Sequence, residues 1–205
     1  MTDTKLTRSQ IKHQAILDAA KSAFQTFGVQ ATSMDKLAEL AQVSKRTIYN
    51  HFENKEELVM QLVADLWNKA LVQNSIEFDQ TMSLEAQLTQ LIRTEVKLMS
   101  DAEYIALTRV AFGHYFYHPE DLQKKVIEFS KQETSLKRWL KAAKAQESLA
   151  IQDVDFAVTQ LHNLLKGSCF WPQVMGLKTE ISDLEQEHLT EQTVAMFLNH
   201  YRVSV

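Results

Sequence analysis

Six residues in one short segment, Lys45, Arg46, Thr47, Tyr49, Asn50 and His51, carry the groups best suited to chemistry with a partner. The cations can meet phosphates, the hydroxyl and amide groups can hydrogen-bond base edges, and the Tyr49 ring can lie along a groove wall. Ile48 and Phe52, interleaved with them, are apolar and fit the opposite side of a helix, which leaves the polar set facing outward. That is what a recognition helix offers to double-stranded DNA. Ser33 and Lys55 extend the set. They fall at the expected N-termini of the neighbouring helices, where free amides and the positive end of the dipole favour a phosphate anion. A lone pair of basic residues would read as a solvated face; the argument for DNA rests on the whole constellation.

The surrounding spacing predicts the elements that must hold this segment. Ile16, Ala20, Ala23 and Phe27 line one side of a first helix from Thr7 to Phe27, which Gly28 stops. Ser33 caps a second, two-turn helix to about Ala41, with Leu37, Ala38 and Ala41 on one face, and Ser44 caps a third from Lys45 to about His51. Small Ala38 and Ala41 let the two short helices approach closely. Neither can pack alone, so the first helix must form a third wall, and a helix-turn-helix unit results. Asn54, with Glu57 three residues on to reach back to the cap amide, opens a fourth helix. Its apolar face of Leu58, Val59, Leu62, Val63, Leu66 and Trp67 continues to about Ser75, enough to bridge the N-terminal unit to the rest of the chain.

From Met34 to Leu58 the pairs Leu37-Ala38 and Val43-Ser44, the triplet Thr47-Ile48-Tyr49, the pair His51-Phe52 and the run Lys55-Glu56-Glu57-Leu58 fall in one register. In this the sequence resembles the TetR family of bacterial transcriptional regulators, and the likeness covers about residues 8 to 58. The resemblance implies that Thr47, Tyr49 and His51 lie near phosphates and thymine methyl groups, with Lys45, Arg46 and Asn50 at the variable, sequence-reading places. It also implies that the remainder is an all-helical regulatory domain that binds a small ligand and dimerises through its last two helices. Phe170-Trp171-Pro172-Gln173 resembles the C-terminal region of the AefR-like branch. One position departs from the pattern: Gln42 stands where the family often has Gly. A left-handed conformation there would strain the turn by roughly 1 kcal/mol.

Composition sets the outer limits. Only 4 Gly and 2 Pro occur in 205 residues, too few for sheets built on tight turns. An all-α fold of about nine helices is expected, with a helix-turn-helix DNA-binding domain over 1–54 and a larger helical regulatory and dimerisation domain over 55–205. One cysteine, Cys169, allows no intrachain disulfide, no secretory leader is legible, and no apolar run nears the ~20 residues of a membrane span. A cytoplasmic protein is expected. The net charge of −4 divides unevenly: residues 1–52 carry seven basic and four acidic groups, while 53–205 carry fifteen and twenty-two. Electrostatic attraction to DNA is therefore confined to the N-terminal face.

Downstream, Leu88, Leu91, Ile92, Val96 and Met99 mark a fifth helix, Ile105 to Tyr117 a sixth, and Pro119 to about Ala145 a seventh carrying Val126, Phe129, Leu136 and Leu140. An eighth ends near Gly167 to Trp171, a loop spans 170–177, and a ninth runs from about Asp183. A dimer is also required by geometry, since one short helix reads too few base pairs, and a two-fold pair implies a palindromic operator. Leu161, Leu164, Leu165, Val194, Phe197, Leu198 and Tyr201 supply an apolar surface for it, or else finish a monomer core. Phe112, Tyr115 and Phe116, with Trp67, Met99, Tyr104, Trp139, Phe156, His162 and Trp171, suit the wall of a small-molecule pocket and equally suit a core. Lys137, Arg138, Lys141 and Lys144 read as a solvated face with Glu133 as a helical partner of Lys137. His114 and His118 are one turn apart, but no carboxylate or cysteine stands at a spacing that would complete a metal site, and Cys169 has no resolving partner. No metal, cofactor, nucleophile motif or phosphate-cradling loop is found. The expected partners are double-stranded DNA, a small effector and a second copy of the chain, with a DNA-binding scaffold under a protein partner as the alternative.

Overall fold

Side-chain caps set where the helices begin. In the computed structural model, which describes residues 7–72, 76–116, 120, 123–124, 127 and 132–203, Thr7 opens α1 (Arg8–Phe27) in a capping box with Gln10. Ser33 accepts from the Lys36 amide at the start of α2 (Met34–Leu40), and Ser44 from that of Thr47 at the start of α3 (Lys45–His51). Asn54 accepts from the Glu57 amide to open α4 (Lys55–Trp67), whose axis continues through a π-helical turn, Asn68–Val72. Here Glu57 reaches back one residue further than expected, to the amide of Glu53 at 2.7 Å. Next come α5 (Leu84–Met99), α6 (Ala102–Tyr115), α7 (Ser135–Ala145) and α8 (Val154–Leu165). A π-helical segment, Lys166–Phe170, joins α8 to a single turn, α9 (Trp171–Val174), and α10 (Asp183–Tyr201) closes the chain behind a Ser182–Glu185 capping box. No strand occurs among the described residues.

Two hydrophobic cores are formed. The first gathers Ile16, Leu17, Ala20, Leu37, Ala38, Ile48 and Phe52 with Leu58, Val59 and Val63 of α4 and Leu107 and Ala111 of α6. It does not stop at residue 54; α4 belongs to it along most of its length. Each fully buried Ile or Leu contributes about 1.5–3 kcal/mol. The second core packs α5, α7, α8 and α10 together with Ile105 of α6. Tyr104 touches both.

Three expectations change. The seventh helix is interrupted: residues 132–134 are not helical, and Thr134 caps a new start by accepting from the Lys137 amide. Pro119, Val126 and Phe129 lie outside the described residues. The segment expected as a loop over 170–177 is helical as far as Val174, because Pro172 sits in a first turn where its missing N–H costs nothing. The seven residues expected at a dimer interface are largely interior: Leu161, Leu165, Val194, Phe197, Leu198 and Tyr201 are buried in the core of one chain, and Leu164 is half-buried. Apolar spacing on α8 and α10 identified which residues are buried, and the partner that buries them is the rest of the same chain.

Candidate nucleic-acid interface

The turn between α2 and α3 fixes the angle at which α3 is presented. The Gln42 amide donates to the Glu39 carbonyl at 3.1 Å and the Val43 amide to that of Ala38 at 2.9 Å, the paired bonds of a Schellman motif. That motif needs a left-handed residue between them, and Gln42 adopts φ 53°, so the strain expected of a non-glycine residue is present. Glu147 repeats it at the end of α7, also with φ 53°.

Ile48 is fully buried beneath α3 and Phe52 nearly so, which turns the other side outward. Lys45, Arg46, Tyr49 and Asn50 are exposed, Tyr49 at 51%, and Thr47 and His51 are half-buried. Lys45, Arg46, Tyr49 and Asn50 thus share the exposed face, with Thr47 and His51 at its edge. Within it the groups are not equally available. The Lys45 ammonium lies 2.6 Å from the Asp35 carboxylate of α2, whose hydrogen bond and charge raise the lysine pKa. The Thr47 hydroxyl is 2.8 Å from that of Ser44. Lys55 donates to the carbonyls of Val29 at 2.9 Å and Thr32 at 3.2 Å, bracing α4 against the α1–α2 turn, so one ammonium proton is left for a phosphate. Ser33 is exposed at its cap.

His13 of α1 was not singled out from sequence. Its ring stacks on Phe52 at 4.9 Å and lies 5.5 Å from His51. It stands three residues before Ile16 on the apolar stripe of α1, and that position is the signal that could have found it. Burial, with the charges of His13 and Lys12, pushes the His51 pKa below its ordinary value, so this imidazole is neutral near pH 7.

The aromatic residues of the larger domain do not form one wall. Trp139 is locked in the core, donating to Gln87 at 3.0 Å and meeting Phe78 edge-on at 5.6 Å; Met99 is buried in the same core. Tyr104, Phe170, Trp171, Phe112 and Phe116 form a separate chain of ring contacts, 5.0 to 6.1 Å apart. Burial, with the Glu95 charge, pushes the Tyr104 phenol up to about 12. Phe116 and Phe156, at 69% and 57% exposure, face solvent and wall no interior pocket. Trp67 is half-buried at the end of α4, and the side chain of Tyr115, like those of His114 and His118, lies outside the described residues. His162 meets Glu95, a residue that sequence reasoning missed although it falls on the stripe of Leu88, Leu91, Ile92 and Met99. A charge on an apolar stripe was the available signal.

The basic run on α7 is tied down. Lys137 pairs with Asp155 at 2.6 Å, Lys141 with Glu133, and Arg138 donates to the carbonyls of Glu133 and Val72. Glu133 therefore serves Lys141 and not Lys137. Burial pushes the Cys169 thiol up to about 11, which keeps it protonated and unreactive at neutral pH.

Residues 16–62 match the family model described as bacterial regulatory proteins, tetR family, and residues 86–203 that of the AefR-like transcriptional repressor, C-terminal domain. An uncharacterized HTH-type transcriptional regulator of Bacillus subtilis (strain 168), YhgD, is 47% identical over 55 residues, 27% of this chain and 29% of that one. The HTH-type transcriptional regulator RutR of Escherichia coli (strain K12) is 32% identical over 93 residues, 44% and 42% of the two chains. The chain thus matches less than half the length of these curated relatives. A crystal structure of a TetR family transcriptional regulator from Pseudomonas syringae pv. tomato str. DC3000 is 34% identical and matches end to end, covering 98% of this chain and 100% of that one with a TM-score of 0.72. None of the described helices is long and apolar enough to cross a membrane. Together with the outward face of α3, these matches make the chain a member of the TetR family of helix-turn-helix transcriptional regulators, with a C-terminal domain of the AefR-like class.

Proposed function

We propose that this chain is a homodimeric, cytoplasmic repressor that occupies a two-fold-symmetric operator and releases it when a small effector enters the helical domain. The observation that carries the reading is the outward face of α3, where Arg46, Tyr49 and Asn50 are exposed and unencumbered by the packing that buries Ile48. A seven-residue helix is only about 10 Å long and reads a few base pairs, so a useful specificity ratio calls for two copies. Arg46, Asn50 and Lys45 read bases, while Thr47, Tyr49, His51, Ser33 and Lys55 position the phosphates. The reading unit takes residues 1–54 and the regulatory unit 55–205, with α4 as the lever common to both. Exposed Phe156 on α8 and Met196 on α10 supply apolar surface for the second copy.

Release is a population shift: effector binding moves α4 and with it the separation of the two recognition helices, so ligand and DNA oppose each other reciprocally. Selection of bound sites from random duplexes by the full chain tests the DNA half. The expected product is an inverted repeat with half-sites one helical turn or a multiple apart, and loss of selection in Tyr49→Ala with its helical circular dichroism intact. Recovered sites without two-fold symmetry, or unimpaired selection by Tyr49→Ala, would overturn it.

A further inference from the structure

The interior of the larger domain holds a carboxyl group that the described residues around it do not satisfy. Glu95 sits on α5 with its side chain 2% exposed, and neither carboxylate oxygen receives a hydrogen bond from the described residues. The His162 Nε2 lies 2.9 Å from Oε2, close enough for ion pairing, but the approach is not aligned as a hydrogen bond and Nε2 is itself unsatisfied. Burying a carboxylate without directed donors is costly, and a leucine would fit the same stripe without that cost.

Glu95 lines a cavity of about 10 Å³, the room of one water molecule, among Leu71, Ile76, Leu91, Leu136, Thr94 and Ser135. Leu71 belongs to the π-helical turn that continues α4, and the same turn is held to α7 by Arg138 donating to the Val72 carbonyl at 3.1 Å. Single π-turns inside helices are frequent at functional sites. A molecule that enlarged this cavity would therefore press on the end of the lever helix, with mostly apolar walls around it and one anionic group at its side.

We propose that Glu95 is the anchor of the effector site, and that the effector is a small apolar molecule bearing a protonated nitrogen, whose N–H groups supply the donors that the carboxylate lacks. An anionic effector is disfavoured, since a buried carboxylate repels it through a low dielectric. The inference rests on the reading of this chain as effector-responsive, and its test separates the two.

The full chain is titrated at neutral pH with hexylamine and benzylamine, and with hexanol, benzyl alcohol and hexanoate as controls, by thermal shift and calorimetry. The amines should raise Tm saturably and the controls should not. Glu95→Gln should weaken amine binding at least tenfold and, in the absence of any amine, raise Tm by about 2 °C or more, because it removes an unsatisfied buried charge. Equal binding of amine and alcohol, no binding of either amine, or a lower Tm in Glu95→Gln would overturn the assignment; the last result would mark the carboxylate as a structural ion-pair partner of His162. Both proteins are also titrated on a selected DNA site. Amine binding that is lost in Glu95→Gln but never releases DNA would leave the site standing and overturn effector-driven release. Release by amine from Glu95→Gln as readily as from the native chain would overturn the site.

Discussion

Lys45, the first residue of the recognition helix, is held by Asp35 of the preceding helix at 2.6 Å, so a cation expected to face DNA is partly neutralised by its own scaffold. Both side chains are more than half exposed, and a phosphate can compete for the lysine. Asp35→Asn should therefore strengthen DNA binding several-fold at low salt and steepen the dependence of log K on log salt by about one unit. Fluorescence anisotropy on a selected site and on random duplex, over a salt series, checks this. Because the gain is electrostatic, it should appear on both DNAs and narrow the specificity ratio.

His51 gives binding a pH dependence. Its pKa is lowered in the free protein, first by burial and then by the charges of His13 and Lys12, whereas a nearby phosphate favours the cation. Binding should take up a proton, and affinity should rise as pH falls through the ordinary imidazole value of about 6.5. The effect on folding has the opposite sign. A histidine depressed in the folded state contributes stability above its unfolded pKa and loses it as pH falls through the folded one. His51→Gln should flatten the affinity profile; an unchanged slope would remove His51 from the phosphate contact.

Gln42 holds a left-handed conformation on a short, exposed turn. Gln42→Gly relieves roughly 1 kcal/mol of local strain but returns part of it through the greater freedom of the unfolded chain. The net gain should be about 0.5 kcal/mol, seen as a Tm rise of about 1–2 °C in thermal denaturation. Affinity for a selected site should stay within about twofold, since the Schellman bonds that orient α3 come from the backbone.

Met196 is 58% exposed on α10, on the side where Gln192, Ala195, Asn199 and His200 are also exposed, opposite the buried Val194, Phe197 and Leu198. Met196→Glu should leave the fold of a single chain intact, because the side chain contributes little to its core. It should shift sedimentation from dimer to monomer at micromolar concentration, and weaken binding to a two-fold site by about a hundredfold or more while leaving a single half-site unaffected. A dimer that persists would place the interface elsewhere.

The reading unit was legible from the sequence because its determinants are local. Ser33, Ser44 and Asn54 accept amide hydrogens three residues on, so their positions mark helix starts without reference to the rest of the fold. The larger domain depends on distant contacts. Leu136 and Leu140 continue the helical spacing of Val126 and Phe129, which concealed the new start at Thr134. Periodicity marks Leu161 and Val194 as buried without saying what buries them, and the answer was the chain itself. Glu95 escapes a reading by apolar spacing because Leu88, Leu91, Ile92, Val96 and Met99 define the stripe without it. His13 and Asp35 act across helices, so their pairing with His51 and Lys45 could only be seen once α1, α2 and α3 were in place.

The division of α6 between two cores bears on how interchangeable the parts of such a protein are. Leu107 and Ala111 complete the packing of the DNA-reading helices, Ile105 two residues away completes that of the regulatory helices, and Tyr104 serves both. A reading head grafted from this chain onto the body of another family member would arrive without the wall that Leu107 and Ala111 provide. To transplant with its orientation intact it would have to bring those two side chains along, as substitutions in the recipient's own sixth helix.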